Sequence, residues 1–412
     1  MQPDTSLPRQ PLRAPSASRP DGVWSAGRVP GRFGRVQLIA IEVALVAATA
    51  AAFGRNAVAI LVTALVGVLL LVFTVVPSGG RWLYQSIAAR RRLRHRRGQA
   101  RTVLRATGDP VAAAVPGLQI RTATDRGVSF GVGQDQTGWF AVLGVMSWIG
   151  PTFERPPSVG LDRLGRLLAE TVPTVSALQI VTHHQSAVPE TGTAANDLVW
   201  LAMRLGSWDA ADAAASRGGG VEGVDRALAA AVGRITTMLN GAEVPCDVLD
   251  ANELLHALTV SSGLYRPGGR APAELDESWR QWSAGGLTHV VFAVRGWPSD
   301  PDPDLVEHLA AVPAVAVDSA VLVAPNGADE VAYRVLIRVS STPQFIADSL
   351  RNLRENAKRS GVRLVRVDGD HGTGVYGTAP TGWTPAGPMP NAWAATAPAP
   401  RGWAPRLAAP RA

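Results

Sequence analysis

Few residues in this 412-residue chain stand at spacings that do chemistry. Arg217-Gly218-Gly219-Gly220 precedes an amphipathic stretch, Val221 to Asn240. Glycines at a helix start can turn backbone N–H groups toward a phosphate. A phosphate-loop NTPase needs Gly-Lys-Ser/Thr next, whereas Val-Glu-Gly follows here, and Glu222 already complements the helix dipole. A structural turn explains the same glycines without a ligand. Ser299-Asp300-Pro301-Asp302-Pro303-Asp304 contains the Asp-x-Asp spacing that holds a divalent metal on a sugar nucleotide. Acidic residues and prolines ahead of a helix are also ordinary capping chemistry.

The remaining titratable clusters offer less. His183-His184 and Asp368-Gly369-Asp370-His371 lack metal-ligand spacing to a further His or Cys nearby. No Gly-x-Ser-x-Gly elbow occurs, and Cys246 has no local histidine. As the single cysteine it excludes an internal disulfide framework and fits a reducing compartment. Neither a catalytic constellation nor a cofactor or metal site emerges.

The elements that carry these residues are organised around two apolar runs. Val36 to Phe53 and Ala57 to Val76 are separated only by Gly54-Arg55-Asn56. Each is close to the roughly 20 residues that a helix needs to cross about 30 Å of hydrocarbon. The short break makes them a hairpin, the transmembrane segment 36–76. Arg28, Arg32 and Arg35 precede it and the cluster Arg90, Arg91, Arg92, Arg94, Arg96 and Arg97 follows, so both termini are expected on the cytoplasmic side of the inner membrane. A signal peptide ending at Ala50-Ala51-Ala52 is the competing reading, and the immediate return into a second apolar run opposes it. Glu42, within the first span, is costly in lipid and is expected to face protein. With Ala44 and Ala48, which permit close helix approach, it marks a packing or subunit contact.

The net charge of +7 comes almost wholly from arginine, Lys358 being the sole lysine. Much of the excess follows the second span, which points to anionic headgroups at roughly 1 kcal/mol per charge rather than to nucleic acid. Residues 1–35 are read as disordered and 77–117 as a basic juxtamembrane linker, with Trp82 and Tyr84 at the interface.

Beyond the linker the pattern is mixed α/β. Strands are expected at 127–133, 139–145, 177–183 and 245–249, and at 198–205, where a helix is the alternative, with helices at 161–170, 221–240 and 251–258. A second half follows, with strands at 287–294, 314–324, 331–340 and 363–367 and helices at 302–311 and 344–360, the last stopped by Gly361. Each half fits β-α-β-β-α-β, the ferredoxin-like order. The fold expected is therefore membrane-anchored α/β (α+β), with units at 118–260 and 286–370 joined by a linker at 261–285. Residues 371–412 are Pro-, Ala- and Trp-rich and read as a disordered tail. Trp383, Trp393 and Trp403 recur there at equal spacing, as partner anchors or as drift in a repeat.

With the hairpin, the arginine cluster and Arg217 to Leu228 in view, the chain resembles EccE, a membrane component of the type VII (ESX) secretion system. The likeness also rests on Trp200-Leu201-Ala202-Met203-Arg204-Leu205, on Val248 to Leu254 and on Trp282 before the strand at Leu287. The resemblance implies a non-enzymatic structural subunit beside EccB, EccC and EccD, with the FtsK-like ATPase EccC driving export of small helical proteins. Two alternatives stay open. One is a membrane-anchored enzyme acting on a nucleotide or sugar nucleotide through Gly218 to Gly220 and Asp300/Asp302. The other is a membrane-tethered regulator acting through its tail.

Overall fold

A computed structural model describes residues 39, 41–43, 45–49, 57–75, 77–78, 81–115, 117–149, 156–170, 175–186, 195–264, 275–325, 331–383, 396–400, 403 and 405–410. The chain divides into two compact units, 25–99 and 100 onward. In the first, positions 41–43 and 45–49 are helical, and helix α1 covers Ala57–Val75. Helix α2, Leu83–Thr107, carries the arginine cluster. Within α1, side chains are described only at 57–58 and 60–69. Among the described residues, no helix is long and apolar enough to cross a membrane. The expected disordered segment 1–35, the hairpin turn 54–56, and the side chains of Trp82 and Tyr84 lie outside the described residues.

The second unit continues with helix α3 (Pro110–Ala114), strands β1 (Gln119–Asp125), β2 (Val128–Asp135), β3 (Gly138–Val145) and β4 (Ser158–Gly160), and helix α4 (Leu161–Glu170). Next come β5 (Ala177–Gln185), β6 (Asn196–Gly206), α5 (Ser207–Ala215), α6 (Gly220–Asn240), β7 (Cys246–Val248) and α7 (Ala251–Ser261). Then follow β8 (Asp276–Glu277), β9 (Trp282–Ala284), β10 (Leu287–Gly296), α8 (Leu305–Ala310), β11 (Ala316–Pro325) and β12 (Val331–Ser341). The last elements are α9 (Ile346–Arg359), β13 (Arg363–Arg366), α10 (His371–Gly377) and β14 (Arg406–Ala408).

Twelve of these strands form one antiparallel sheet, ordered β8-β9-β10-β12-β11-β5-β6-β3-β2-β1, with β13 on β10 and β7 on β3. In the first half, β7, β3, β6 and β5 are neighbours in that order. In the second, β13, β10, β12 and β11 repeat it. The halves meet edge to edge where β5 pairs with β11, Ala316 opposite Gln185 through Val323 opposite Leu178. Pairing the two edges removes the exposed ladder that each half would otherwise present to aggregation.

Local chemistry fixes these elements. Arg126-Gly127, both at positive φ (48° and 82°), make the two-residue loop between β1 and β2, the turn whose twist suits a hairpin. In the next hairpin, Asp135 Oδ1 accepts from the N–H groups of Thr137 (2.7 Å) and Gly138 (3.1 Å), an Asx turn. Helix α7 opens on a capping box: Asp250 accepts from Asn252 and Glu253 N–H, and Glu253 accepts from Asp250 N–H. Gly133 faces Phe140 across the β2–β3 pair. A Cβ there would lie 2.2 Å from the ring, so only glycine lets the aromatic ring lie across the strand.

The sheet is buried on both faces. Odd-numbered Val317, Val321 and Val323 of β11 join a core with Leu164 of α4, Leu228 of α6, Leu309 of α8 and Leu353 of α9. Even-numbered Ala320, Leu322 and Ala324 join a second core with Leu254 of α7 and Val375 of α10.

Several segments differ from the sequence expectation. Residues 110–114, 119–125 and 158–160, expected as linker or given no element, form α3, β1 and β4. Residues 261–285, read as a linker, contribute β8 and β9 to the sheet edge. Residues 207–215, given no element, form α5, with Ala210, Ala213 and Ala214 buried. Where the chain was read as a disordered tail from 371, α10 forms and β14 pairs with β4. Trp403 is only 3% exposed, with ring centroids 4.8 Å from Trp297 and 5.8 Å from Tyr333. Its indole N–H donates to the Asp302 carbonyl at 3.0 Å. Helix α10 lies ahead of Pro380, where the prolines begin; beyond it, burial of the large Trp403 ring outweighs the ordering cost.

Candidate functional site

Each motif that might do chemistry is absorbed by the fold. Gly218, Gly219 and Gly220 all have positive φ, from 64° to 95°, and carry the chain backward from α5 into α6. Gly219 N–H donates to the Ala214 carbonyl at 2.8 Å, so part of the loop's donor capacity is spent internally. Asp302 accepts from Asp304 N–H at 2.8 Å, an Asx turn ahead of α8, and stands 4.0 Å from His308. These aspartates lie between β10 and α8, in the other half from the glycines. Among the described residues, no three His, Cys, Asp or Glu side chains group to hold a metal. Cys246 is buried, and burial, then the Asp247 charge, pushes its thiol pKa up.

The histidines and aspartates singled out by type take structural partners. His184 pairs with Asp197 across β5–β6. Arg366 binds Asp368 through both carboxylate oxygens. His371 is fully buried, and its Nδ1 accepts from Val291 N–H at 3.3 Å. Burial pushes its pKa down despite the nearby Asp368.

His183 belongs to a larger feature. It bonds Asp318 Oδ1 through Nδ1 at 2.7 Å, and Arg338 reaches Asp318 Oδ2 through Nε (3.0 Å) and Nη2 (2.5 Å). The three are register partners on adjacent strands β5, β11 and β12, so the triad crosses the seam between the halves. Asp318 and Arg338 are 0% and 1% exposed at the side chain. Burial alone would raise the Asp318 carboxyl, but Arg338 and His183 outweigh it and hold the pKa below the usual carboxylate value. Nearby, His289 Nδ1 meets Ser340 Oγ at 2.7 Å. Burial, then the Arg338 charge, presses the His289 pKa down to about 3.

A second buried network ties the first half to the segment after α10. Arg204 binds Asp135 and Thr137 and donates to the Thr381 carbonyl at 3.0 Å. Tyr376 donates to Asp135 Oδ2 at 2.6 Å. Gln179 accepts from Thr381 and Gly382 N–H and donates to the Gly377 carbonyl at 2.7 Å. Burial raises the Asp135 pKa, and Arg204 with the hydrogen bonds from Tyr376 and Thr137 turns it downward overall. These carboxylates are saturated by donors, which suits registering strands and docking a segment rather than proton transfer. From the sequence, Arg204 stands out only within a motif and Asp135 only as part of the turn 134–138, while Asp318 and Arg338 lie unmarked inside strands. The available signal was a charge inside an otherwise apolar strand, such as Asp318 in Ala314 to Ala324.

In the first unit, Glu42 and Ala48 are exposed helical positions, while Ala44 lies outside the described residues. Apolar side chains of the same unit are also exposed: Leu45 by 69%, and on α1 Val58 and Leu61 by 69% and 71%. Of the arginine cluster, Arg90, Arg91 and Arg94 are exposed, and Arg92, Arg96 and Arg97 are half-buried.

Comparison with known proteins bears on the stretch from β6 into β10. Residues 193–294 match the family model described as "Putative type VII ESX secretion system translocon, EccE". The resemblance to EccE holds. The matched stretch contains Trp200 to Leu205, Arg217 to Leu228, Val248 to Leu254 and Trp282, so it carries the buried Arg204, the glycine loop and the α7 capping box. No curated protein matches the chain.

Proposed function

We propose that this EccE-like protein is a structural subunit of the inner-membrane type VII secretion complex, with no catalytic act of its own. The match of residues 193–294 to the translocon family carries the reading. In it, the two apolar segments form a membrane hairpin with both termini cytoplasmic. Support comes from α1: 19 residues without a charge, about 28 Å long at about 1.5 Å per residue. Its exposed valines and leucines would be an unusual surface in water. Arg90, Arg91, Arg92, Arg94, Arg96 and Arg97 then lie at the headgroups, and Glu42, Ala44 and Ala48 meet a neighbouring helix.

The α/β unit is read as two ferredoxin-like halves, supported by the repeated strand order, and serves as a rigid body on which EccB-, EccC- and EccD-type subunits assemble. Energy for export comes from the ATPase subunit. Three variants test the reading on a native gel of detergent-solubilised membranes. Deleting 36–76 should remove the protein from the large complex, and Glu42→Leu should weaken its retention. Asp300→Ala/Asp302→Ala should leave assembly and export intact; loss of export in that variant, with assembly intact, would overturn the non-catalytic reading in favour of an enzyme.

A further inference from the structure

A groove of about 1160 Å³ opens between the β1–β2 turn, α4 and the outer face of α6. Arg126, Arg163, Arg217, Arg226 and Arg234 line it, against Asp125 as the one lining carboxylate. Arg226 is ion-paired, to the 85%-exposed Glu222 at 3.2 Å, a contact of little strength in water. Arg217 turns to backbone and hydroxyl acceptors, the Ala213 carbonyl and Ser216 Oγ. Among the described residues, no carboxylate lies within ion-pair distance of Arg126, Arg163 or Arg234. The crowding registers on Arg234, whose pKa is pushed down by burial and then by the Arg217 charge.

The floor between these charges is small and apolar. Ala229, Gly233 and Thr237 recur at four-residue spacing along α6, and a Cβ built on Gly233 meets nothing within 4 Å. Val128, 57% exposed, forms one wall. The volume exceeds that of ordinary small-molecule sites, and the concave shape with charges at the rim does not fit a flat bilayer. Phe130, the aromatic lining residue, is 2% exposed, so no ring is offered for base stacking.

We propose that this groove receives an acidic amphipathic helix of a protein partner. The partner's small or apolar face sits over Ala229, Gly233 and Thr237, and its carboxylates meet Arg126, Arg163 and Arg234. The site deepens the structural-subunit reading by giving the chemistry of one partner.

The test uses the full chain in nanodiscs of zwitterionic lipid and a fluorescein-labelled peptide with glutamates on one helical face and leucine and alanine on the other. Saturable anisotropy is expected, with a lysine-for-glutamate peptide failing to bind. Arg126→Glu/Arg163→Glu/Arg234→Glu should weaken binding at least about tenfold, as charge reversal in a complementary interface does. Gly233→Leu, on an exposed helical position, fills the floor and should weaken binding while the thermal melt is kept; it decides the matter if the triple variant fails to fold. Equal binding by both variants, no binding by the wild-type chain, or variant-sensitive binding of phosphatidylserine vesicles or poly(dT) in place of the peptide overturns the proposal. A chain that assembles in membranes yet ignores the peptide refutes the groove alone. One that binds the peptide yet never assembles refutes the structural-subunit reading alone.

Discussion

Asp318→Asn is the sharpest perturbation of the seam between the two halves of the sheet. The carboxylate accepts from His183 and twice from Arg338, and neither Asp318 nor Arg338 is more than 1% exposed. Asparagine keeps the volume but removes the charge and turns an N–H₂ group toward donors on one side. Arg338 is then a buried cation without its counter-ion, a change that costs about 3–5 kcal/mol. At about 2–4 °C per kcal/mol for a domain of this class, Tm should fall by roughly 6–20 °C. Intrinsic tryptophan fluorescence of the full chain in detergent, followed on heating, reads the shift. Asp318→Leu/Arg338→Met removes both charges and should recover most of the loss, since a well-packed apolar pair often equals a buried ion pair. A single-variant shift below about 1 kcal/mol, or a double variant no better than the single, would show that the triad does not hold the seam.

Four further outcomes follow from named contacts. Trp403→Ala should cost about 3–5 kcal/mol, as large-to-small changes at buried aromatic positions do, whereas Trp208→Ala, at a side chain 42% exposed, should stay within about 0.5 kcal/mol; chemical denaturation of both compares them. His289, neutral in the folded chain because its pKa is near 3 rather than 6.5, lets the unfolded chain take up the proton first as pH falls. Stability present at pH 7 is therefore lost below pH 6.5, by about 2 kcal/mol at pH 5, and His289→Gln should flatten that slope in melts taken across the range. For Asp318, whose folded pKa is depressed, stability is full above the ordinary carboxylate pKa near 4 and is lost as pH falls through the lower folded value; an acid titration of Asp318→Asn should lack that component. Gly133→Ala drives a Cβ into the Phe140 ring and should cost about 1–3 kcal/mol, which Gly133→Ala/Phe140→Leu should partly relieve in the same melt.

The sequence was legible where one rule governed. Alternation and β-branched runs located the four central strands of each half, though not β1, β4, β8 or β9, and the leucine and valine spacing of Val221 to Asn240 located α6. Part of what escaped had a local signal: Gly285-Gly286, both at positive φ (59° and 81°), form the two-residue turn that lays Trp282 to Ala284 against Leu287 to His289. The rest was set by long-range pairing. Helix α5 is alanine-rich and short, so its buried face carries little periodic contrast. The terminal segment has the composition of an unstructured chain, and Trp403 is ordered only because Trp297 and Tyr333 meet it from elsewhere in the fold. The same limit applied to chemistry. His183 was noticed by type and Asp318 was not, yet their meaning lies in the register that sets them opposite each other across β5 and β11. The Asp300/Asp302 spacing, conspicuous in one dimension, becomes a turn and a carbonyl for an indole in three.

Membership of a larger assembly is open to native mass spectrometry of a tagged chain purified from gently solubilised native membranes. A particle far larger than the 43.2 kDa chain, containing an FtsK-like ATPase and a many-span membrane protein, is expected. A lone monomer or a small homo-oligomer, recovered under conditions that keep those other subunits together, would contradict it.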